Sequence, residues 1–181
     1  MKTVIINEAI SATDPTIVKT PNTLKKDVYN LLNGTIGDEY AAHYYYRAAA
    51  NWCHNMSYKK AAAFFDGEAQ NELDHALRLQ KYLTDWDMLP SIPQVPTTHK
   101  FNNLPEIIVG AYDMEYDLYQ KYNDNSRIIF NLDLPTFDFL QHFRNEQTAA
   151  VAEFADLLNA LQLINVENNF EILYFENQYF G

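Results

Sequence analysis

Residues 58–86 read YKKAAAFFDGEAQNELDHALRLQKYLTDW, and this stretch decides the fold. Phe65, Glu68, Glu72, His75, Leu79 and Tyr82 follow one another in steps of three and four. That spacing lays them along one face of an α-helix. The face is apolar at both ends and carries carboxylates and an imidazole in its middle. Glu72 and His75 are three residues apart, so both side chains can reach one ion. A stripe of this kind belongs inside a bundle. Its polar centre then has to be neutralised by a proton or by a cation.

The neighbouring segments repeat the pattern. Upstream, Leu24, Val28, Leu31, Leu32 and Ile36 return at helical spacing after Pro21, with Thr23 as the expected N-cap. The helix they start runs to Asn55–Ser57, weakened locally by Gly34 and Gly37. At roughly 30 residues it would be about 45 Å long. Its heptad places Leu32, Glu39 and Tyr46 on one line. The second helix fades near Met88. Residues 89–105, LPSIPQVPTTHKFNNLP, then hold four prolines and predict a long extended connection.

A third helix is expected from Pro105 to about Asn131, with Ile108, Ala111, Glu115, Leu118 and Tyr122 on its stripe. A fourth is expected from Pro135 to about Leu163, with Leu140, Phe143, Gln147, Ala150, Phe154 and Leu157. A short fifth is expected over residues 168–177. No segment shows strand alternation. Short links make antiparallel neighbours, and a long one lets a helix cross the length of the assembly. The expected fold is therefore all-α: a four-helix bundle with a long crossover between the second and third helices, plus a short fifth helix. Residues 1–22 are expected to form an extended N-terminal arm, and 23–181 the bundle with its C-terminal short helix.

Composition narrows the function. The 181 residues carry 24 Asp and Glu against 13 Lys and Arg, a net charge of -11. Phosphate backbones would be repelled and metal cations attracted, so no nucleic-acid partner is expected. Cys53 is the single cysteine, which excludes an intramolecular disulfide and a cysteine-built zinc site. It is expected to be a buried thiol. No stretch has the apolar length of a membrane span or secretory signal, so a cytoplasmic location without membrane attachment is expected.

The residues converge on one chemistry. Glu39, Glu72 with His75, and Glu115 each interrupt the inward stripe of a different helix. In di-iron carboxylate bundles two helices give one Glu each and two give Glu-x-x-His. The fourth helix departs from that pattern with Gln147-Thr-Ala-Ala150. Hard anionic donors with one imidazole suit Fe(II), and Fe(III) better still.

Five stretches carry a family resemblance: IGDEYAAHYYYRAAANWC, AAAFFDGEAQNELDHALRLQKYLTD, AYDMEYDLYQK, LPTFDFLQHFRNEQ and FEILYF. In order and spacing they resemble the non-haem ferritins of the ferritin-like superfamily, over nearly everything from Leu24 to Phe175. The resemblance implies a prokaryotic-type ferritin with an H-type ferroxidase site and two irons per subunit. Glu39 matches the ligand of the first iron. Glu72 matches the bridging glutamate, His75 the sole histidine ligand, and Glu115 the ligand of the second iron. Gln147 matches the glutamine beside the oxygen site, and Tyr46 the tyrosine beside the first iron, an electron donor.

Asn71, Ala149 and Ala150 replace acids or a histidine used elsewhere in the family, which argues against a bacterial-style third iron. Glu68 is expected to be a polar residue of the bundle. Asp138 matches the start of the fourth helix, where relatives line pores with acids. His43, His54, His99 and His142 are expected to be structural or exposed.

The implied activity is oxidation of Fe(II) by O2 or H2O2 and storage of Fe(III) mineral in a homo-oligomeric shell of about 24 subunits. Two other readings of the residues stay open. One is a fixed di-iron oxidase acting on an organic substrate, and the other is a structural shell with a vestigial site.

Overall fold

The computed structural model describes residues 24–94 and 99–180. The arm expected over residues 1–22, together with Thr23, lies outside the described residues. Five helices follow in order. They are α1 (Lys26–Asn55), α2 (Lys59–Asp85), α3 (Leu104–Phe130), α4 (Leu134–Leu161) and α5 (Asn169–Tyr179). No strand occurs among the described residues. The four-helix bundle with a long second connection and a short fifth helix is the observed architecture.

Helix ends differ from expectation by a few residues, for local reasons. The N-cap position of α1 is Lys25, which has extended backbone and no side-chain cap. Helix α2 stops at Asp85, short of Met88, because Asp87 turns into the left-handed region at φ 60°. The Met88 amide then donates to the Leu83 carbonyl and the Asp87 amide to that of Thr84. Helix α1 ends in the same way at Ser57, φ 68°, with Tyr58 N–H donating to Cys53 and Ser57 N–H to His54. Both are Schellman caps with a non-glycine residue where glycine is usual. The prolines foreseen at the starts of α3 and α4 sit in their first turns. There Asn103 accepts from the Glu106 amide and Asp133 from the Thr136 amide.

Cross-links between helices give the chain direction. Asn125, Lys121 and Glu115 on α3 meet Thr35, Asp38 and Tyr46 on α1, so α1 and α3 run antiparallel. Three-residue links make α2 antiparallel to α1 and α4 antiparallel to α3. The crossover runs back along α1. The Tyr29 hydroxyl donates to the Leu89 carbonyl at 2.9 Å, and Asn33 Oδ1 accepts from the Ser91 amide at 3.0 Å. Farther along, Tyr45 packs on His99 and Phe101 and donates to the Ile107 carbonyl.

Helix α5 closes one end of the bundle. Ile172, Phe175 and Phe180 join the apolar core there, and Glu176 supplies the cap that α2 lacks. Its Oε1 accepts from the amides of Lys60 and Ala61 at 2.7 and 3.1 Å. A carboxylate against free N–H groups at a helix N-terminus is favourable in both hydrogen bonding and dipole.

The core is two apolar clusters. One holds Ala49, Cys53, Phe65, Ile108 and Phe154 with the α5 residues, and the other holds Val28, Leu32, Leu79, Leu83, Ile129 and Leu140. Between them lies a polar layer.

Candidate metal centre

The polar layer is built from one residue step in each long helix. Glu39, Glu72, Glu115 and Gln147 are 0%, 2%, 0% and 2% exposed. They face inward because each sits on the apolar stripe of its own helix. His75, on α2 one turn after Glu72, is half-buried beside them.

Glu39, Glu72 and His75 converge. Each offers a ligand atom lying within 4.8 Å of the other two. His75 Nδ1 is 2.9 Å from Glu72 Oε2 and 3.5 Å from Glu39 Oε2. The Tyr122 hydroxyl donates to Glu39 Oε1. Glu39 Oε2 has no hydrogen-bond partner, although it is shielded from water. A buried carboxylate oxygen without a hydrogen bond is costly, and a cation at that position would satisfy it.

Glu115 is held differently. The Tyr46 hydroxyl donates to its Oε1, and the Gln147 amide donates to its Oε2. The same Gln147 nitrogen donates to the Glu115 backbone carbonyl at 3.0 Å. Two acceptors on one side fix which end of the amide faces Glu115. Tyr46 is thus held on Glu115 by its hydroxyl. Its ring stacks on Phe65 and Phe154, with centroids 6.1 and 5.8 Å away.

Burial governs the protonation states. It pushes Glu72 well above the usual carboxylate range, with Glu39 and Glu115 adding repulsion. It pushes Glu115 up to about 7, against the hydrogen bonds of Tyr46 and Gln147. Burial would raise Glu39 as well, but His75, Glu72 and Tyr122 outweigh it and hold Glu39 below the usual range. Burial would lower His75, yet the two carboxylates on its Nδ1 raise it to about 11. Without a metal, the imidazolium is the positive charge between Glu39 and Glu72. Burial also raises the hydroxyls of Tyr46 and Tyr122 well above their ordinary value.

A cleft of about 410 Å³ opens onto this layer between α2 and α4, with Glu68, Glu72, His75, Glu146 and Glu153 in its wall. Asn71, Ala149 and Ala150 also line it. Burial, with Glu153 nearby, lifts Glu68 to about 7. Asp138 is exposed at the start of α4, and the Cys53 thiol is buried and pushed up to about 12. His43, half-buried, lies 2.6 Å from the Ala69 carbonyl, and His54 lies 3.2 Å from Asp66.

Two residues near the site escaped the sequence reading. Tyr122 stood on the α3 stripe as a packing residue. The signal was its spacing, seven residues after Glu115 as Tyr46 is seven after Glu39. Glu146 joins His75 Nε2 at 3.3 Å and His142 Nε2 at 2.7 Å, so His142 is exposed but paired. Its only signal was adjacency to Gln147.

Residues 29–164 match the family model described as a ferritin-like domain. A bacterial non-haem ferritin of Escherichia coli O6:H1 is 32% identical over 142 residues, covering 77% of this chain and 86% of that protein. One of Campylobacter jejuni is 30% identical over 158 residues, covering 86% and 93%. Among solved structures, an open pore ferritin of Archaeoglobus fulgidus superposes with a TM-score of 0.81 at 19% identity, covering 87% of this chain and 98% of that one. No helix among the described residues is long and apolar enough to cross a membrane. With this bundle, a carboxylate and imidazole layer at its centre and these relatives, the chain belongs to the ferritin family of iron-storage proteins.

Proposed function

We propose that this protein oxidises Fe(II) at the layer formed by Glu39, Glu72, His75 and Glu115 and passes the Fe(III) to a mineral store. The observation that carries the reading is the convergence of Glu39, Glu72 and His75, with Glu39 Oε2 holding no hydrogen bond. Three carboxylates buried to within 2% exposure have one imidazole to balance them. Cations entering through the α2–α4 cleft would displace the protons that balance this layer without metal.

Each residue has a role in the proposal. Glu39 Oε2 and His75 Nδ1 hold one Fe(II), Glu115 holds the second, and Glu72 between them is shared. Two Fe(II) give two electrons toward the reduction of O2 and become two Fe(III). H2O2 itself is a further oxidant for Fe(II). The second ion is held mainly by Glu115, because Gln147 is a neutral neighbour. Weak retention there suits iron as substrate and cargo. Closed assembly into a shell of about 24 subunits accompanies this function. Exposed Val109, Ile128, Phe130, Leu134, Leu173 and Tyr174 support extensive subunit contacts.

The test is Fe(II) oxidation at two ions per chain, followed by absorbance. Replacing Glu72 and His75 together by Ala should slow it more than about 100-fold, beyond the 10–100-fold of an outer partner's loss. An unchanged rate would remove the assignment.

A further inference from the structure

The two inward tyrosines form a crossed pair. Tyr46 lies seven residues after Glu39 on α1 and donates to Glu115 on α3. Tyr122 lies seven residues after Glu115 on α3 and donates to Glu39 on α1. Both are buried, at 0% and 1% exposure. Tyr122 stacks on Phe143 with ring centroids 5.6 Å apart, and Phe143 in turn lies edge-on to His75. Each metal position thus has one phenol on its own carboxylate.

Holding a carboxylate does not require a phenol, because the Gln147 amide does it on the other oxygen of Glu115. What a phenol adds is an O–H that can release one electron and one proton together. The proton can move directly to the carboxylate oxygen that accepts the hydrogen bond.

We propose that Tyr122 is a second electron donor of the site, so that two Fe(II) and two tyrosines in one subunit reduce O2 to water. This rests on the ferroxidase reading above. The balance closes. Two Fe(II) become Fe(III) and give two electrons. Tyr46 and Tyr122 each break one O–H bond, give one electron and one proton, and become neutral radicals. With two further protons from water, the O–O bond breaks and two H2O form. Later Fe(II) reduces each radical, with uptake of one proton, and becomes Fe(III). Over repeated cycles four Fe(II) are consumed per O2, and H2O2 is not released. Tyr122 acts through Glu39, so it is a positioning and electron-donating residue of the first metal position.

The experiment uses the assembled protein with two Fe(II) per chain and one pulse of O2. Released H2O2 is trapped by a peroxidase dye, and radicals are counted by freeze-quench electron paramagnetic resonance. Wild type, Tyr46→Phe, Tyr122→Phe and the double variant are compared. Zn(II) calorimetry first shows that each variant is folded and binds metal. The proposal expects close to no H2O2 per O2 from the wild type and close to one from the double variant, with the single variants between. It also expects a tyrosyl radical in Tyr46→Phe that vanishes in the double variant. If Tyr122→Phe does not fold, Tyr46→Phe alone still decides against the proposal when it shows no radical. Absence of that radical, or equal H2O2 from wild type and Tyr122→Phe, overturns the proposal while leaving ferroxidase activity standing. A wild type that oxidises no Fe(II) above the buffer rate overturns both.

Discussion

Glu39 and Glu115 are the same residue type, equally buried, on facing helices, yet their surroundings differ. Glu39 has one oxygen bonded to Tyr122 and the other without a hydrogen bond, 3.5 Å from His75 Nδ1. Glu115 has both oxygens engaged, by Tyr46 and by Gln147. On the proposed function, the first would take an ion directly, and the second would have to release a donor to take one. Burial decides how expensive each state is, and local hydrogen bonds decide which carboxylate bears the charge. Glu39 is accordingly held below the usual range while Glu115 is raised to about 7. For the proposed passage of iron through the site, one firm and one loose position would be an advantage.

The sharpest way to break this contrast is to remove each carboxylate in turn. Glu39→Gln should weaken the tighter of two Zn(II) affinities by about 100-fold, and Glu115→Gln should weaken only the looser one, both read by calorimetry. The scale follows from losing a charged ligand, which exceeds the 10–100-fold of an outer partner. Equal loss from both variants would show that the two positions are equivalent.

Gln147→Glu should convert the loose position into a firm one. It replaces a neutral donor by a fourth carboxylate in the layer. The second Zn(II) should bind about tenfold tighter, worth about 1.4 kcal/mol. Iron should also remain on the protein after oxidation and desalting. The metal-free variant should melt at a lower temperature, because two carboxylates then face each other.

The contrast also has a pH signature. Glu72 and Glu115 are raised by burial, so at pH 6 the metal-free layer holds protons that an entering cation must displace. Zn(II) binding should therefore release protons at pH 6 and weaken as pH falls below about 7, as calorimetry in buffers of different ionisation enthalpy will show. Folding stability of the metal-free protein moves the other way. A carboxylate raised in the folded state favours that state at low pH, and the contribution is lost as pH rises from about 4.5 through about 7. Glu39, held low, contributes in the opposite sense, and its contribution is lost only below about 4.5. The melting temperature of the metal-free protein should fall between pH 5 and 8, and saturating Zn(II) should abolish that fall.

The smallest effect comes from outside the layer. Glu176→Gln weakens the cap on α2. It should cost about 1 kcal/mol in folding stability, read by denaturant melting, and leave both Zn(II) affinities unchanged. A shift in either affinity would tie the site to the far end of the bundle.

Much of this architecture was legible before any coordinates. The step pattern from Phe65 to Tyr82 encodes both the helix and its inward face, and the heptads placing Glu39 and Glu115 encode theirs. Periodicity is a local property, so these features survive in one dimension. The partners of each side chain do not. Nothing within α5 announces that Glu176 will cap α2, because that contact is made by the packing of segments far apart in the chain. Tyr122 looks like any aromatic on an apolar stripe until the opposing helix brings Glu39 to its hydroxyl. Glu146 lies beside the stripe and reaches His75 only across the α2–α4 cleft.

Repeated loading tests the central claim most directly. Two Fe(II) per chain are added in air, oxidation is followed to completion, and the addition is repeated many times before gel filtration. The account predicts that the rate recovers at each addition and that iron far above two per chain elutes with a large oligomer. A protein that saturates at two irons per chain and holds them would contradict it.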